Sequence, residues 1–420
     1  MKTASARTGA PLTELGVRSG KFTRDALTDL QGSSRIPSID GLRALAVLGV
    51  VAYHFQLPLL GGFLGVDLFF VISGFVITRL LVTQREKDLR PARLDFWYRR
   101  AKRLLPAMLL VVAAVQAWML IQDPPGLRPT VNGQTLAALT YLSNWYAITA
   151  HIGYWSVGLD AAPLNHLWSL AVEEQFYLVW PLALAAALTF LPVRVSRRAL
   201  AVAAVIGAGA SYTLALHWYV PGAPERAYLG TDTRAGALLL GAVVALRPVR
   251  PPVFLTAALT AVSVAVLGVQ WATADIDSAD LYMWQLPVAG LAAAVVVNAL
   301  AHTTPGALSR LLCAAPLQWV GLRSYAIYLW HWPVWIFLGI EFPELSHTAR
   351  AATGFTAALA LATLSYALVE QPIRARDLRP RVLLPVLAVC CALLAGATSL
   401  PVTAPMDAEN GPVVTGPKAP

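Results

Sequence analysis

Residues 36–75 read IPSIDGLRALAVLGVVAYHFQLPLLGGFLGVDLFFVISGF, an apolar stretch in which Arg43 and His54 are the arginine and the histidine. On a helix, eleven positions bring two side chains within ~20° of one face and ~16 Å apart along it. Ionisable residues in a membrane helix normally face a protein interior or a water-filled cavity. This spacing therefore indicates the wall of a site, although a snorkelling arginine and a structural histidine would give the same pattern.

The composition is that of a polytopic membrane protein. Of 420 residues, 57% are hydrophobic and only 13% are charged, against ~25% charged residues in soluble domains. Basic residues outnumber acidic ones by 32 to 23; in a membrane protein such an excess sets topology, and no nucleic-acid motif accompanies it. Cys313, Cys390 and Cys391 lack the spacing of a zinc site or a disulfide framework. We expect them to be packing residues, and we expect no metal.

The hydropathy pattern predicts an all-α bundle of ~11 transmembrane helices in the lipid bilayer. The candidate spans are segments 39–57, 64–83, 104–122, 166–191, 199–219, 232–247, 252–271, 282–301, 322–341, 349–369 and 382–402. A further segment, 134–148, is too short and too polar to be assigned as a span. It fits a re-entrant or interfacial piece of a long loop.

The distribution of basic residues predicts the orientation of the bundle. With the N-terminus in the cytoplasm, 26 of the 32 Lys and Arg residues fall inside, many of them between positions 79 and 103. The outer loop that contains Asp275, Asp277 and Asp280 is acidic. The positive-inside rule then places the N-terminus inside and the C-terminus outside, and we expect the bundle to lie in a cell membrane.

Both ends of the chain are predicted to be tails. Residues 1–35 lack the apolar core of a signal peptide, so we expect a disordered cytoplasmic tail. Residues 376–402 would form an additional C-terminal transmembrane helix, and residues 403–420 a flexible tail. We predict no soluble domain on either side, so any chemistry would take place within the bundle.

A carboxylate reaches the depth of His54 from a different helix. The segment HLWSLAVEEQFYLVWP, residues 166–181, enters from the outside. With ~1.5 Å per residue and a ~30 Å core, Glu173 lies ~19 Å and His54 ~22 Å above the inner edge. A carboxylate beside an imidazole fixes the tautomer that a general base needs; a structural ion pair is the alternative. Ser73, at nearly the same depth, is either a nucleophile, an oxyanion donor or a packing residue.

A basic run lies at the inner mouth of the predicted bundle. FWYRRAKRLLP, residues 96–106, contains Arg100 and Arg103 together with Arg99 and Lys102. Such a cluster often only marks the cytoplasmic side. With Arg43 leading inward, it would also suit a polyphosphate ligand, because arginine pairs bidentately with phosphate.

Several motifs follow one another in a fixed order along the chain. Arg43, ten residues and His54 form the first, and RRAKRLLP supplies an RxxR element at Arg100 and Arg103. The further matching positions are Glu173, Phe176 and Tyr177 in HLWSLAVEEQFYLVWP, Asp232 and Arg234 in TDTRAGALLLGAVVA, Ser324, Tyr325 and His331 in SYAIYLWHWPV, and Glu370 in VEQPIR. This order resembles the membrane-bound acyltransferase family 3, over residues 36–375.

The resemblance implies an enzyme that transfers an acyl group from acyl-CoA, as co-substrate, to a hydroxyl group, with no bound cofactor. His54 would take the proton of the acceptor hydroxyl, Glu173 would orient the imidazole, and the hydroxyl would attack the thioester; an acyl-enzyme is the alternative. Arg43, Arg100 and Arg103 would hold the phosphates of CoA. The residues expected to bind the acceptor or support the site are Asp67, Ser73, Tyr177, Asp232, Arg234 and His331.

The acceptor is less defined by sequence. Family members that modify surface polysaccharides often continue into a periplasmic SGNH-type domain, and this chain ends without one. We therefore expect a macrolide or other glycosylated natural product as acceptor, in antibiotic biosynthesis, with O-acetylation of a cell-surface polysaccharide or glycolipid as the alternative. A transporter of an acylated product or an anion is the rival function, since charged stripes also line permeation paths.

Overall fold

Helices account for all the regular structure of the described residues. The computed structural model describes residues 35–86, 94–122, 124, 126–152, 162–190, 192–302 and 306–400. The predicted tails, 1–35 and 403–420, lie outside these residues except for Arg35. A helix is what an apolar chain needs in a bilayer, because lipid offers no partner for backbone N–H and C=O groups.

Eleven long helices of the described chain coincide with the eleven predicted segments. They are α1 (Pro37–His54), α2 (Gly65–Glu86), α3 (Leu94–Gln122), α4 (Trp168–Phe190), α5 (Val193–Trp218), α6 (Thr231–Leu246), α7 (Val253–Thr273), α8 (Leu286–His302), α9 (Ala315–Glu341), α10 (His347–Ser365) and α11 (Pro380–Ala397). Shorter helices lie between them: Gly62–Leu64, Arg128–Leu139, Ser143–Thr149, Asn165–Leu167, Glu225–Leu229, Leu281–Gln285, Ala307–Leu312, Tyr366–Glu370 and Gln371–Ala375.

The long helices divide into two groups by polarity. Among the described residues, eight helices, some lengthened by an adjoining short helix, are long and apolar enough to cross a membrane. The other three, α1, α4 and α9, have 18, 23 and 27 residues. Each of these three carries polar residues within the helix, such as His54, Glu173 and His331. The all-α transmembrane fold is thus confirmed, while the count of eleven spans and the orientation stay predictions.

Three helices begin at least six residues earlier than hydropathy predicted. Helix α3 begins at Leu94 and not at position 104, α5 begins at Val193 and not at position 199, and α9 begins at Ala315 and not at position 322. Hydropathy detects only the part of a helix that lies in hydrocarbon, whereas the hydrogen-bonded helix continues into the polar region. The basic run of residues 96–106 is therefore helical, and its side chains project at the end of the bundle.

The segment 134–148 forms two short helices, Arg128–Leu139 and Ser143–Thr149, of 12 and 7 residues. Tyr141 between them has φ 55°, in the left-handed region that interrupts a helix. Twelve helical residues cover only ~18 Å, less than the ~30 Å of a bilayer core. Gln175 of α4 holds the turn, since its amide donates to Tyr141 O at 2.8 Å and to Asn144 Oδ1 at 3.0 Å. This geometry fits a piece that does not cross the membrane.

Helices α1 and α9 lie side by side at the centre of the bundle. Arg43 Nε donates to Ser324 Oγ at 3.2 Å, and His54 Nδ1 lies 2.8 Å from His331 Nε2. Because the residue numbers rise together in both contacts, the two helices run parallel. Parallel packing is what the predicted order requires of the first and ninth spans.

Helices α2 and α6 also run parallel, as the predicted second and sixth spans should. Asp67 pairs with Arg234 at 2.8 Å, and farther along Gly74 packs against the backbone of Leu238. A β-carbon on Gly74 or on Gly241 would collide with a main-chain oxygen of the opposite helix. Small residues at this crossing therefore let the two backbones approach closely.

Helices α7 and α11 lie at the periphery. In α7 the buried residues are Ser263 and Gln270, and in α11 they are Leu383 and Leu387. Their remaining apolar side chains suit contact with lipid. The polar residues that could do chemistry are thus collected between α1, α2, α3, α4 and α9.

Candidate active site

A cavity of about 310 Å³ lies at the end of the bundle that the charge distribution assigns to the cytoplasm. The arginines that line it are Arg35, Arg43, Arg79, Arg99, Arg103 and Arg374. Asp40 also lines it, and its carboxylate pairs with Arg35 at 2.6 Å. Arg79 Nη1 is buried and has no hydrogen-bond partner among the described residues. This arginine cavity therefore combines excess positive charge with an unsatisfied donor, as a site for a polyanion requires.

The arginines reach this cavity from several helices. Arg79 lies near the end of α2, Arg99 and Arg103 lie in the first turns of α3, and Arg374 belongs to the short helix Gln371–Ala375. Sequence reasoning missed Arg79 and Arg374, because basic residues at the ends of spans were interpreted only as topology signals. Arg374 stands in VEQPIR, one of the motifs already recognised, which was a usable signal.

A second, smaller cavity of about 90 Å³ adjoins the first. The two cavities share Arg43, Val76 and Arg103 as lining residues. We call the second one the inner cavity. The two cavities are therefore neighbours, and the inner cavity lies beyond the arginine cavity as seen from the basic end of the bundle.

A carboxylate and two hydroxyl groups form the polar wall of the inner cavity. Ser73 Oγ donates to Glu173 Oε1 at 2.8 Å, and Tyr177 Oη donates to Glu173 Oε2 at 3.3 Å. Ser73 comes from α2, whereas Glu173 and Tyr177 lie one turn apart on α4. A carboxylate has about four acceptor positions, so Glu173 can accept further hydrogen bonds from a ligand.

The three arginines predicted to hold phosphates do not occupy equivalent positions. Arg43 and Arg103 line both cavities, whereas Arg100 lines the inner cavity. The Arg100 guanidinium lies 3.6 Å above the ring of Tyr177 and forms an ion pair with Glu174 at 3.8 Å. Arg100 is thus held by protein groups beside the inner cavity, and Arg43 and Arg103 mark the junction of the two cavities.

Two histidines form a buried pair between α1 and α9. The rings of His54 and His331 are nearly parallel, at 13°, with centroids 5.1 Å apart and a 2.8 Å separation between His54 Nδ1 and His331 Nε2. His331 Nδ1 lies 2.6 Å from the main-chain oxygen of Tyr328, one turn earlier on α9. His54 is 7% exposed and His331 0%. The pair therefore lies inside the bundle, and the main-chain oxygen of Tyr328 holds the ring of His331 in place.

The expectation that Glu173 orients His54 requires a correction. The structure gives His54 a histidine neighbour, His331, and gives the Glu173 carboxylate to Ser73 and Tyr177. Depth estimates placed Glu173 and His54 at the same level, but depth says nothing about which way each helix turns its side chain. The two predicted catalytic residues thus belong to two neighbouring groups.

Tyr328, which sequence reasoning did not single out, joins these two groups. It lines the inner cavity, and its hydroxyl donates to His166 O at 2.6 Å and lies 2.7 Å from Ser169 Oγ. Its main-chain oxygen is the partner of His331. Tyr328 stands three residues before His331 in SYAIYLWHWPV. On a helix this spacing brings the main-chain oxygen of the first residue near the side chain of the second, and this was the signal available in the sequence.

Three of the remaining predicted residues, Asp67, Asp232 and Arg234, form ion pairs. Asp67 and Arg234 form an ion pair whose side chains are only 2% and 1% exposed, and the Arg234 guanidinium lies 4.5 Å from the centre of the Tyr228 ring. Asp232 pairs with Arg226 at 2.6 Å, with 36% of its side chain exposed. Asp67, Asp232 and Arg234 do not line either of the two cavities, and their part in acceptor binding stays a prediction.

Known proteins are similar to this chain over most of its length. The chain is 39% identical to the peptidoglycan O-acetyltransferase OatA of Listeria monocytogenes over 359 residues, which is 81% of this chain and 56% of that protein. It is 36% identical to the putative peptidoglycan O-acetyltransferase YrhL of Bacillus subtilis, over 82% of this chain and 56% of the relative. It is 34% identical to the O-acetyltransferase OatA of Staphylococcus aureus, over 83% of this chain and 59% of the relative.

The chain therefore spans somewhat more than half the length of these curated relatives. No solved structure matches it. A family model described as an acyltransferase domain matches residues 36–369, which contain the inner cavity, the histidine pair and most of the residues that line the arginine cavity. The match confirms the resemblance drawn from the ordered motifs, and the chain belongs to acyltransferase family 3.

Proposed function

We propose that this protein is an integral membrane O-acyltransferase that moves an acetyl group from acetyl-CoA to a hydroxyl group of a cell-surface glycan. The observation that carries the proposal is the pair of cavities, which meet at Arg43 and Arg103. The inner cavity reaches Tyr328, whose main-chain oxygen contacts His331, the neighbour of His54. The relatives are named as O-acetyltransferases, two of them as acting on peptidoglycan. These names favour a surface glycan over the macrolide that sequence analysis put first.

The arginine cavity supports the choice of donor. Coenzyme A carries a pyrophosphate and a ribose phosphate, and a cavity lined by Arg79, Arg99, Arg103 and Arg374 offers several guanidinium groups to them. The pantetheine arm then extends past Arg43 into the inner cavity. There the Glu173 carboxylate accepts hydrogen bonds from the amide N–H groups of the arm.

The chemical step is a direct acyl transfer with His54 as the general base. The O–H bond of the acceptor breaks as its proton moves to the His54 imidazole, and the oxygen forms a bond to the thioester carbon. The C–S bond then breaks, and CoA leaves as a thiolate that takes up a proton. The products are an ester on the acceptor and free CoA, so atoms and charge balance.

The two substrates approach from opposite ends of the bundle. The arginine cavity lies at the basic end, which the positive-inside rule assigns to the cytoplasm, where acyl-CoA is made. His54 closes the other end of α1, eleven residues from Arg43. The acceptor therefore reaches the histidine from the outer half of the plasma membrane, and only the acyl group has to pass the middle of the bundle.

The test is a transfer assay on the purified chain in lipid nanodiscs. Acetyl-CoA is supplied with soluble peptidoglycan fragments in one reaction and with a macrolide in another, and free CoA thiol and the mass of each acceptor are measured. We expect thiol release that depends on the glycan, together with acetylation of that glycan. If only the macrolide were acetylated, the acceptor would be a macrolide, as expected from the sequence, and not a cell-surface glycan.

Thiol release independent of any acceptor would argue against direct transfer, and binding of acetyl-CoA without thiol release would favour a transport role. A His54→Ala variant serves as the inactive control. The relatives are longer than this chain, so the test also has to cover a transfer that needs a partner protein. The same assay should therefore also be run with native membranes that contain this protein, where such a partner is present.

A further inference from the structure

The hydrogen bonds of the buried histidine pair determine where its protons lie. A main-chain carbonyl oxygen can only accept, so the 2.6 Å contact with Tyr328 O places a proton on His331 Nδ1. A neutral imidazole carries one ring proton, and therefore His331 Nε2 is an acceptor. His54 Nδ1, 2.8 Å from that nitrogen, must then donate. The lone pair of neutral His54 is consequently on Nε2.

The neutral state of the pair follows from its surroundings. Among the ring contacts of the described residues, Tyr53 packs beside His54, and His166 and Tyr328 pack beside His331. None of these three is a carboxylate that would stabilise a positive charge. A charged histidine in such a buried position would be costly. With both rings neutral, His54 Nδ1 donates to His331 Nε2 and His331 Nδ1 donates to Tyr328 O, so each of these four atoms has a hydrogen-bond partner.

We propose that His331 is a positioning residue that fixes the tautomer of His54, so that Nε2 is the nitrogen that takes the acceptor proton. His331 thereby occupies the role that sequence analysis assigned to Glu173. The inference rests on the proposed function, because it assumes that His54 is the base of the acyl transfer.

This arrangement has a chemical consequence during transfer. When the acceptor O–H bond breaks and His54 Nε2 takes the proton, His54 becomes an imidazolium whose Nδ1–H still donates to His331 Nε2. The hydrogen bond is then charge-assisted and stronger than in the resting state. When the proton leaves for the CoA thiolate, the pair returns to its first state without rearrangement. A residue that aids the charged intermediate in this way raises turnover more than it raises affinity.

Two substitutions of His331 separate positioning from packing. His331→Gln places an amide oxygen close to the position of the imidazole Nε2, where it can accept from His54. His331→Asn is shorter, so it reaches the position of Nδ1 and leaves His54 without that acceptor. We expect His331→Gln to keep turnover within ~10-fold of the unchanged protein and His331→Asn to lose ~10²-fold or more. The KM for acetyl-CoA should change in neither variant.

A matched control is His302→Asn at the end of α8. The His302 ring packs on Phe75, and it does not line the inner cavity, which contains Glu173. It should leave turnover unchanged. Thermal unfolding and acetyl-CoA binding report whether each variant is folded. Equal activity of His331→Asn and the unchanged protein would overturn the proposal, as would an equal loss in His331→Gln and His331→Asn with both variants folded.

A spectroscopic measurement decides the tautomer without any activity. The chain has 7 histidines, and ¹⁵N-labelling of their rings with a His54→Ala difference spectrum identifies the signals of His54. We expect a protonated Nδ1 and an unprotonated Nε2. A protonated Nε2 would refute the inference even in an active enzyme, whereas the expected tautomer in a protein that transfers no acyl group would leave the geometry intact and reject only the proposed function.

Discussion

His54 is the side chain on which the proposed chemistry depends, and its replacement gives the simplest prediction. General-base catalysis by a positioned side chain contributes ~10² to 10⁴ in rate. We expect His54→Ala to lose that much turnover while it binds acetyl-CoA normally, because His54 lines neither cavity. Steady-state rates and equilibrium binding of acetyl-CoA would measure the two effects separately. Near-normal turnover would remove the histidine from the mechanism.

Glu173 should act on the donor instead of on the base. Its carboxylate receives hydrogen bonds from Ser73 and Tyr177 and faces the inner cavity. Glu173→Gln turns one acceptor oxygen into a donor, and loss of a hydrogen bond to a charged group costs about 1.5–3 kcal/mol. We predict that the KM for acetyl-CoA rises ~10-fold or more, with a smaller change in the KM for the acceptor.

Ser73→Ala provides the partner measurement for Glu173. Because Ser73 Oγ donates to Glu173 Oε1, the effects of Ser73→Ala and Glu173→Gln should be less than additive in the double variant. Complete loss of activity in Ser73→Ala alone, with acylated serine found by mass spectrometry in the unchanged protein, would instead support the acyl-enzyme route.

At single residues, the sequence was informative about type and spacing and silent about direction. The eleven-residue interval between Arg43 and His54 correctly indicated two inward-facing groups, and both now contact α9. The sequence paired His54 with Glu173, whereas the structure places His331 beside His54 and gives Glu173 hydrogen bonds from Ser73 and Tyr177. A residue's depth gives one coordinate, and the helix rotation gives another. The partner of His54 could have been found only by knowing that α1 and α9 are neighbours, which no local pattern in either helix contains.

At the scale of helices, hydropathy located every long helix of the described chain and misjudged several ends. The extra turns of α3 at residues 94–103 carry charges, which lower hydropathy but do not prevent helix formation. Polar side chains also lower the hydropathy of α1, α4 and α9, and these are the helices that carry His54, Glu173 and His331. Helices α2 and α3 carry Ser73, Arg100 and Arg103 and are still apolar enough to be detected, so hydropathy alone does not single out the helices of the site.

The crossing of α2 and α6 supports a prediction about stability. Asp67 and Arg234 are fully buried at this crossing, and removal of one partner of a buried pair costs about 3–5 kcal/mol. We predict that Asp67→Asn lowers the midpoint of thermal unfolding in detergent markedly. A double variant, Asp67→Asn with Arg234→Gln, should recover part of the loss, because no unpaired charge remains.

Asp232 provides the matched control on the same helix. Its ion pair with Arg226 is partly exposed, and such pairs contribute only about 0–1 kcal/mol. Asp232→Asn should therefore shift the midpoint little. If Asp232→Asn and Asp67→Asn destabilised the protein equally, the buried pair would not be a particular support of the α2–α6 crossing.

For the whole molecule, the predicted orientation can be tested with cysteines. Cys313 is exposed and lies at the basic end of the bundle, and Ala279 is exposed in the acidic loop. We predict that a membrane-impermeant maleimide, applied to intact cells, labels an Ala279→Cys variant and does not label Cys313. Cys390 and Cys391 are replaced by alanine in both proteins to remove background. Labelling of Cys313 from outside, with Ala279→Cys protected, would invert the bundle and the proposed entry side of the donor.

The arginine cavity makes the last prediction, because it joins the charge distribution of the whole molecule to the donor. Arg79 has a buried guanidinium nitrogen without a partner among the described residues, so a phosphate of CoA would complete it. Loss of a charge-assisted hydrogen bond costs about 1.5–3 kcal/mol, and Arg79→Gln should raise the KM for acetyl-CoA by ~10- to 100-fold. Arg103→Gln should act alike, since Arg103 lines both cavities. The KM for the acceptor should stay constant in both variants.

Arg198→Gln is the control for net charge, because Arg198 is an exposed residue at the same end of the bundle and lines neither cavity. Added salt should weaken acetyl-CoA binding to the unchanged protein, and it should do so less in Arg79→Gln, since fewer charges then face the phosphates. Isothermal titration in nanodiscs at several salt concentrations would measure this directly. If Arg198→Gln impaired donor binding as much as Arg79→Gln, the cavity would contribute only general positive charge, and the assignment of its arginines to CoA phosphates would be wrong.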